Sequence, residues 1–470
     1  MSMPSGKPEA KSTSAAKAAV QKLQDLSARE LNQRMIERRA IEAIIWGMPA
    51  VNFELMYQAM VREAKGSFNQ IVYWSRLPDW KNQTLTPNAD VIYLMPFFDT
   101  KDGPIVIEIP PADDGVINGT IMDSWQTPLE DVGPAGADKG KGGKYLIVPP
   151  DYRSNLPAGY IVLASSTHQG YALLRSILKS GSDADIAKAV SYGRRVKLYP
   201  LAQAAKPPET TFRDAADLVY DATIPYDWRF FQALDRFVER ELWLTRDKVM
   251  IDLLKSIGVD KGKPFNPDDS MKLVLNDAAA EARAVLDMKY ETLFPPYFEN
   301  ARWALPAVTD YIESASTAYA DPDVYPLDSR GALFSFAFFT AKHLGQGQFY
   351  LMTIKDKDGE AFHGGDTYRL VVPRNAPVNQ YWSATAYDRS THALIRGLSR
   401  SSRSSQSPGL LKNADGSVEI YFAPKAPPGK ETNWVPTSAS GIFEVLFRFY
   451  GPEKPLFDKT WVLPDIEKLK

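Results

Sequence analysis

Acidic, phenolic and basic side chains that could share in acid–base chemistry stand close together in the N-terminal third of the chain. They are Asn88, Asp90, Tyr93, Asp123, Trp125, Lys144 and Tyr145. If a strand begins at Asp90, alternation places Asp90 and Ile92 on one face and Tyr93 on the other. Asp90 then projects into a cavity beside Asp123, with Lys144 near enough to change the pKa of either carboxyl group.

This arrangement predicts a catalytic set of Asp90, Tyr93, Lys144 and Tyr145, with Asn88, Asp123 and Trp125 binding the substrate. A carboxyl group with a raised pKa can act as a general base or acid, and a tyrosine hydroxyl can donate to a developing oxyanion. The alternative is structural: Asn88 and Asp90 form a turn beside Pro87, and Lys144 pairs with a surface acid. The residue types and their spacing leave both interpretations open.

A second group of aromatic and basic residues, near the C-terminus, predicts further substrate contacts at Trp382, Tyr387, Trp434 and Arg448. Alternation along a strand puts Trp382 and Tyr387 on opposite faces. In the structural alternative, Asp388 and Arg448 form a buried ion pair between strands. A cleft between two domains is the natural meeting place of this group and the N-terminal one.

Most other catalytic chemistries are excluded by the sequence. Cysteine is absent, so thiolate zinc sites, disulfides and cysteine nucleophiles do not occur. Gly-x-Ser-x-Gly and His-Glu-x-x-His motifs are missing and the 4 histidines are far apart, so no zinc or iron site is expected. We predict no organic cofactor. A calcium site is not excluded, because oxygen ligands are sufficient to bind calcium. Asp356, Asp358 and Glu360, however, fit a hairpin turn better than a calcium-binding loop.

Length and charge limit the architecture and the partners. The chain has 470 residues, 44% of them hydrophobic and 24% charged, which predicts two or three packed domains. The formal net charge of -2 offers no basic field for nucleic acid. No run approaches the roughly 18 apolar residues of a membrane span. Residues 1–28 predict a flexible tail, and the compartment stays open between cytoplasm and periplasm or secretion after removal of a signal peptide.

The periodicity of apolar residues predicts an α+β, β-rich chain with an N-terminal helix. A helix is expected over residues 29–64, kinked or broken at 47–49, and strands over 104–109, 116–125, 144–148 and 160–165. Residues 171–179, 183–205, 228–257 and 268–292 suit helices, and strands return at 349–354, 367–372, 380–387, 417–422 and 443–450. The predicted domains are a β-rich one at 29–170, a helical connection at 171–324 and an antiparallel β-sandwich at 325–470.

Several short sequence segments identify the kind of protein more specifically than this periodicity does. In the first half they are LTPNADVIY (85–93), DSWQ (123–126), DVG (131–133) and KGKGGKYLIVPP (139–150), and in the second half YWSATAYD (381–388), NADGS (413–417), NWVP (433–436) and RFYGP (448–452). From about residue 38 to about residue 464, the chain resembles the bacterial two-domain proteins named DUF1254 and DUF1214. The resemblance implies two jelly-roll-like β domains around a helical segment, and little chemistry, because the family has no assigned function. One departure is RGLSR at 396–400, where members usually show an Asn-Pro-containing phrase before the arginine.

These features lead to one hypothesis about function and one alternative. The hypothesis is a hydrolase-type enzyme without organic cofactor, acting on a small polar or aromatic molecule at the cleft between the β domains. The alternative is a non-catalytic ligand-binding or assembly protein that holds a ligand or another subunit with tryptophans and tyrosines, with export from the cell left open. A homo-oligomer fits either interpretation, and the fold class does not decide between them.

Overall fold

In the computed structural model, the described residues are 26–337, 341–343 and 347–469. The predicted tail therefore lies, apart from residues 26–28, outside the described part of the chain. Helix α1 (Ala28–Arg62) begins with a capping box, in which Ser27 Oγ accepts from the Glu30 N–H and the Glu30 carboxylate accepts from the Ser27 N–H. No helix among the described residues is long and apolar enough to cross a membrane.

Helix α1 runs without interruption through Pro49, so the predicted break at residues 47–49 is wrong. The middle of the helix is buried on nearly every side, and this packing offsets the hydrogen bond that proline removes. The Gln126 side-chain amide also donates to the Pro49 carbonyl over 2.9 Å, which ties the helix to the N-terminal β unit.

The N-terminal β unit consists of two facing sheets. Its strands are β1 (Gln70–Tyr73), β2 (Asn82–Gln83), β3 (Ile92–Asp99), β4 (Ile105–Ile109), β5 (Ile117–Asp123), β6 (Pro128–Val132), β7 (Gly143–Val148), β8 (Ile161–Ala164), β9 (Gln169–Ser176), β10 (Lys197–Pro200), β11 (Phe212–Asp214) and β12 (Tyr220–Asp221). One sheet has the order β11-β1-β3-β9-β5-β6 and the other β10-β4-β7-β8, while β12 pairs with β2. Apolar side chains of both large sheets, such as Phe98, Ile107 and Leu174, fill one core between them.

Strand β9 contradicts the helix predicted over residues 171–179. It lies between β3 and β5 within the six-stranded sheet, and all of its residues are buried. A short apolar run of this kind suits a buried strand or a buried helix, and only pairing with neighbouring strands decides. The helix predicted over 183–205 is also shorter, because α2 (Asp183–Gly193) is soon followed by β10.

A helical layer joins the two β units. It contains α3 (Trp228–Arg240), α4 (Met250–Lys255), α5 (Asp269–Thr292), α6 (Thr309–Ser316) and α7 (Leu327–Phe336). The segment predicted as one helix over 228–257 is therefore two helices, α3 and α4. Helices α3, α5 and α7 pack against α1. Their apolar residues share a core with the face of the six-stranded sheet that points away from its sandwich partner.

The C-terminal β unit is again a pair of sheets. Its elements are β13 (Gln348–Thr353), β14 (Phe362–His363), β15 (Tyr368–Val372), β16 (Val378–Asp388), β17 (Ser402–Ser404), β18 (Val418–Ala423), β19 (Trp434–Pro436), β20 (Ile442–Pro452), α8 (Lys454–Phe457) and β21 (Glu467–Lys468). The strand orders are β13-β20-β16-β17, with β14 beside β20, and β19-β18-β15-β21. Most pairings in both units are antiparallel, which confirms the α+β, β-rich prediction; a jelly-roll connection of the strands stays a prediction.

Helices α1 and α7 approach each other closely where proline leaves a carbonyl without its usual partner. Pro49 has no N–H to offer the Ile45 carbonyl one turn earlier. Gly331 of α7 lies against this oxygen, since a Cβ atom at position 331 would be only 2.8 Å from it. The crossing of the two helices therefore requires glycine at this position.

We expect Gly331→Ala to lower the free energy of unfolding by about 1–3 kcal/mol, because the added methyl group forces the two helix backbones apart. The matched control is Gly347→Ala, whose Cβ would meet Ala135 at an ordinary 3.6 Å. Urea unfolding followed by circular dichroism measures both variants. Equal midpoints for the two would show that the helix crossing has room for a side chain.

Candidate functional site

One face of the β13-β20-β16-β17 sheet carries polar and aromatic side chains that do not belong to its own sandwich core. They are Tyr350, Tyr381, Ser383, Thr385, Tyr387, Glu444, Arg448 and Tyr450, all at least half-buried. The opposite face carries Trp382, Phe447 and Phe449, which pack into the sandwich. Trp382 and Tyr387 thus lie on opposite faces, as alternation predicts, and the sheet turns a polar face towards the N-terminal unit.

The six-stranded sheet of the N-terminal unit supplies the other wall. Tyr93 on β3 is paired in register with Arg175 on β9, and both side chains are buried. The Arg175 guanidinium carbon lies 5.6 Å from the centre of the Tyr93 ring. Arg175 and Leu173 alternate with Ala172 and Leu174, which face the sandwich core of their own unit.

A cavity of about 100 Å³ lies between the two walls and the helical layer. Arg175 and Arg448 both line it, together with Tyr93 and Tyr350. Most of the remaining surface is apolar and comes from both β units and from α6 and α7, including Leu85, Leu173, Leu305, Ile312, Leu333 and Phe336. No carboxylate is among the described residues that line the cavity.

Arg448 is fixed by neutral groups. Its Nη2 donates to the Thr86 carbonyl over 2.7 Å and its Nη1 to the Thr385 hydroxyl over 3.2 Å. The guanidinium carbon lies 5.3 Å from the Tyr350 ring centre and 5.6 Å from that of Tyr387. Burial lowers the pKa of Arg448, but the neighbouring tyrosines, Tyr387 and Tyr350 first, raise it by more, so the side chain stays a cation.

Asn88 joins the tyrosines of the two units. Its side-chain amide donates to the hydroxyls of Tyr381 and Tyr450 over 2.9 and 3.0 Å, and its backbone N–H donates to the Tyr93 hydroxyl over 2.8 Å. The rings of Tyr381 and Tyr450 stack with centres 4.5 Å apart. Burial raises the pKa of Tyr381 well above its ordinary value, so its hydroxyl stays protonated and available as a donor.

Asp90 lies beside this cluster but does not line the cavity. Its N–H donates to Asn88 Oδ1 over 2.9 Å, which is the turn that the structural alternative predicts. Burial raises the pKa of the Asp90 carboxyl, while hydrogen bonding from Ser402 and the charge of Arg448 oppose the shift. Asp90 Oδ2 is buried and has no hydrogen-bond partner among the described residues.

The other residues of the predicted catalytic set lie elsewhere. Lys144 is exposed on β7, where it pairs in register with Glu108. The Tyr145 hydroxyl points into the N-terminal sandwich and bonds the Asp138 carboxylate at 2.8 Å. Burial, with the neighbouring Asp138 carboxylate, raises the pKa of Tyr145 far above its ordinary value. The structure therefore does not bring Lys144 and Tyr145 to Asp90.

Asp123 and Trp125 share one turn, Trp434 lies in the C-terminal unit, and none of the three lines the cavity. Asp123 Oδ1 accepts from the backbone N–H groups of Trp125 and Thr127, both at 2.9 Å, and thus closes a turn. Trp125 is buried against Trp46, with ring centres 4.9 Å apart. The Trp434 indole donates to the Ala423 carbonyl over 2.8 Å within the C-terminal unit.

The predicted ion pair between Asp388 and Arg448 is wrong. Asp388 ends strand β16 and its carboxylate accepts from the N–H and the hydroxyl of Ser390, over 2.7 and 2.5 Å. Arg448 instead lies opposite Ser383 in the pairing of β16 with β20, five positions from Asp388. Residue types alone suggested the pair, whereas strand register determines which side chains meet.

Sequence reasoning missed Arg175, Tyr350 and Tyr381 as site residues. Arg175 was hidden because its segment was assigned to a helix, where it has no fixed neighbour in a sheet. Tyr381 stands in the distinctive segment at 381–388. It is an even number of residues from Tyr387, so alternation places both side chains on one face of the strand, and this was the available signal.

No group of three or more His, Cys, Asp or Glu placed to hold a metal ion occurs in the part of the chain that the structure describes. Asp356, which the sequence offered to calcium, accepts from the N–H groups of Asp358 and Glu360 over 2.9 and 3.0 Å. These bonds close a hairpin turn between residues 355 and 361.

Comparison with known proteins identifies the family. Two models described as "Protein of unknown function" match the chain, DUF1254 at residues 68–200 and DUF1214 at residues 347–454. A search of curated proteins gives no match. The crystal structure of the VPA0106 protein from Vibrio parahaemolyticus has the same fold, with a TM-score of 0.56 and 17% identity over 93% of this chain and 100% of that one. A putative uncharacterized protein from Burkholderia cenocepacia is more distant, with a TM-score of 0.44 and 12% identity over 94% and 96% of the two chains. The chain therefore belongs to the two-domain family of DUF1254 and DUF1214 proteins, whose function is not established.

Proposed function

We propose that the protein binds a small organic anion, a carboxylate with a compact apolar or aromatic body, in the cavity between its two β units. The observation that carries the proposal is the convergence of Arg175 and Arg448 on a cavity with a mainly apolar lining. An arginine fork recognises a carboxylate through charge-assisted hydrogen bonds, which are stronger in a water-poor site. The apolar walls would take up the rest of the molecule.

The surrounding groups support an anion rather than a cation as ligand. Arg448 already satisfies the Thr86 carbonyl and the Thr385 hydroxyl and retains its full positive charge, because neither partner is ionised. The hydroxyl of Tyr350 adds a further donor at the cavity wall, where burial raises its pKa and keeps it protonated.

Hydrolysis at this site is the second candidate function. The observation in its favour is Asp90, a carboxyl group beside the tyrosine cluster whose pKa is raised by burial, since a carboxyl group with a raised pKa can act as a general acid or base. Asp90 lies outside the cavity lining, so its role would require a substrate that reaches beyond that lining.

We expect benzoate to bind the wild-type protein, and Arg448→Met to weaken that binding at least about tenfold, the equivalent of one lost charged hydrogen bond. Arg448→Lys, which keeps the charge but not the fork, should lie between the two. Isothermal titration calorimetry measures the affinities, with formate, acetate and neutral benzyl alcohol as comparison ligands.

The control variant is Arg153→Met, because the Arg153 side chain is 80% exposed and bonds only the nearby Asp151 among the described residues. It should bind benzoate as the wild type does. Equal binding of benzoate and benzyl alcohol, or binding by Arg448→Met at wild-type strength, would contradict an anion site at the two arginines.

Asp90→Asn should stabilise the protein at pH 7 by about 1 kcal/mol or more, because it removes a carboxyl group whose charged form is disfavoured by burial. The raised pKa of Asp90 means that the folded chain keeps a proton that the unfolded chain releases from about pH 4 upwards. Wild-type stability therefore falls as the pH rises through that window, and the advantage of the variant should shrink towards pH 4.

Urea unfolding at pH 4.5 and 7.5 measures this effect, with Asp415→Asn as control. Hydrogen bonding from Ser417 lowers the pKa of the exposed Asp415, so that its replacement should cost stability at neutral pH, the opposite sign. A screen of hydrolase substrates on the same Asp90 variant separates the two functions. Turnover by the wild type that vanishes in the well-folded variant would assign Asp90 to catalysis.

A further inference from the structure

A third buried arginine, Arg330 on α7, lies among aromatic rings and is not part of the cavity lining. Its side chain is 1% exposed, and its guanidinium carbon is 4.9 Å from the Trp125 ring centre and 5.1 Å from that of Tyr325. Arg330 Nη1 also bonds the Tyr325 hydroxyl. Tyr319 adds a third ring at 6.0 Å.

Arg246 enters the same pocket from the segment between α3 and α4. Its guanidinium carbon lies 4.6 Å from the ring centre of Tyr319 and 5.5 Å from that of Tyr325, so the two arginines share both rings. We name the group of Arg246, Arg330, Trp125, Tyr319 and Tyr325 the arginine box.

Hydrogen-bond donors in the arginine box outnumber acceptors. Nε and Nη2 of Arg330, Nε and Nη2 of Arg246 and the Trp125 indole nitrogen are all buried and have no hydrogen-bond partner in the described chain. Ring faces accept N–H groups only weakly, so the cation–π contacts do not replace these bonds. Buried donors in folded proteins are nearly always satisfied, which indicates that something absent from the polypeptide supplies acceptors here.

The acidic groups around the box do not supply those acceptors. Asp247 Oδ1 is taken by the Trp46 indole at 2.7 Å and by the Tyr325 hydroxyl at 3.3 Å. Asp247 Oδ2 stands 3.5 Å from Arg246 Nε without forming a hydrogen bond. The oxygens of Asp123, the other nearby acid, accept from the Trp125 and Thr127 N–H groups and from the Ser166 hydroxyl.

We propose that the arginine box is a second binding site, for an oxyanion such as a carboxylate or phosphate group. The oxygens of such a group would accept from Arg330, Arg246 and the Trp125 indole together, through charge-assisted hydrogen bonds from the two guanidinium groups. None of the five box residues lines the cavity between the β units, so this site is separate from the one proposed above.

The test is the binding of inorganic phosphate and of acetate to the full chain, measured by calorimetry and by tryptophan fluorescence at constant ionic strength. Trp125 and Trp46 stand in or beside the box, so an occupied site should change the emission saturably. The stronger of the two ligands indicates whether a phosphate or a carboxylate is the better occupant.

Arg246→Gln should weaken this binding at least tenfold, and this variant should fold because the Arg246 side chain is 24% exposed. Trp125→Phe keeps the ring but removes the indole donor, and it should also weaken binding in calorimetry. Arg153→Gln, at an exposed site, should bind as the wild type does.

Two outcomes overturn the proposal. Absence of saturable binding of both anions to the wild type would mean that water satisfies the donors. Binding that persists at full strength in both Arg246→Gln and Trp125→Phe would place the anion elsewhere on the protein. Neither outcome depends on benzoate binding in the cavity, whose failure would leave this site unaffected.

Discussion

The bond from Arg448 to the Thr86 carbonyl, with the Asn88 bonds beside it, is the contact on which the arrangement of the two β units depends. A polar sheet face can be buried against another domain only if its donors and acceptors find partners there. The turn at residues 84–90 supplies those partners, because its backbone and Asn88 reach across to Tyr381, Tyr450 and Arg448. The cavity between the two β units lies beside this turn.

Some of the strands of both units could be predicted from alternation and from turn residues, and most of the predicted strands lie within a residue or two of the observed ones. The hairpin at Asp356 followed from its Asx and glycine spacing alone. Such features are local, because side chain and backbone partner are a few residues apart. Asn88 was found for the same reason, as part of a distinctive turn beside proline.

What sequence could not provide was register and pairing between distant strands. Arg175 and Tyr93 are neighbours only because β9 lies beside β3, and the apolar run of β9 looks equally like a helix. Lys144 shows the converse: it follows a conspicuous glycine-rich phrase, yet its strand belongs to the outer sheet, where the side chain faces solvent. The closeness of Lys144 to Asp90 and Asp123 along the chain suggested a catalytic role for Lys144. In the fold, the buried polar cluster instead combines residues of both β units, such as Asn88 and Tyr381.

Helix α7 links the two groups of arginines. Arg330 near its start belongs to the arginine box, while Leu333 and Phe336 one and two turns later line the cavity. At a rise of about 1.5 Å per residue, Arg330 and Phe336 are about 9 Å apart along the axis. Gly331, between them, is the residue that lets α7 approach the Ile45 carbonyl, so one backbone contact sets the position of both sites. Any change in the packing of α1 against α7 must therefore move the walls of the cavity and of the box together, because a helix of ten residues transmits displacement as a rigid body.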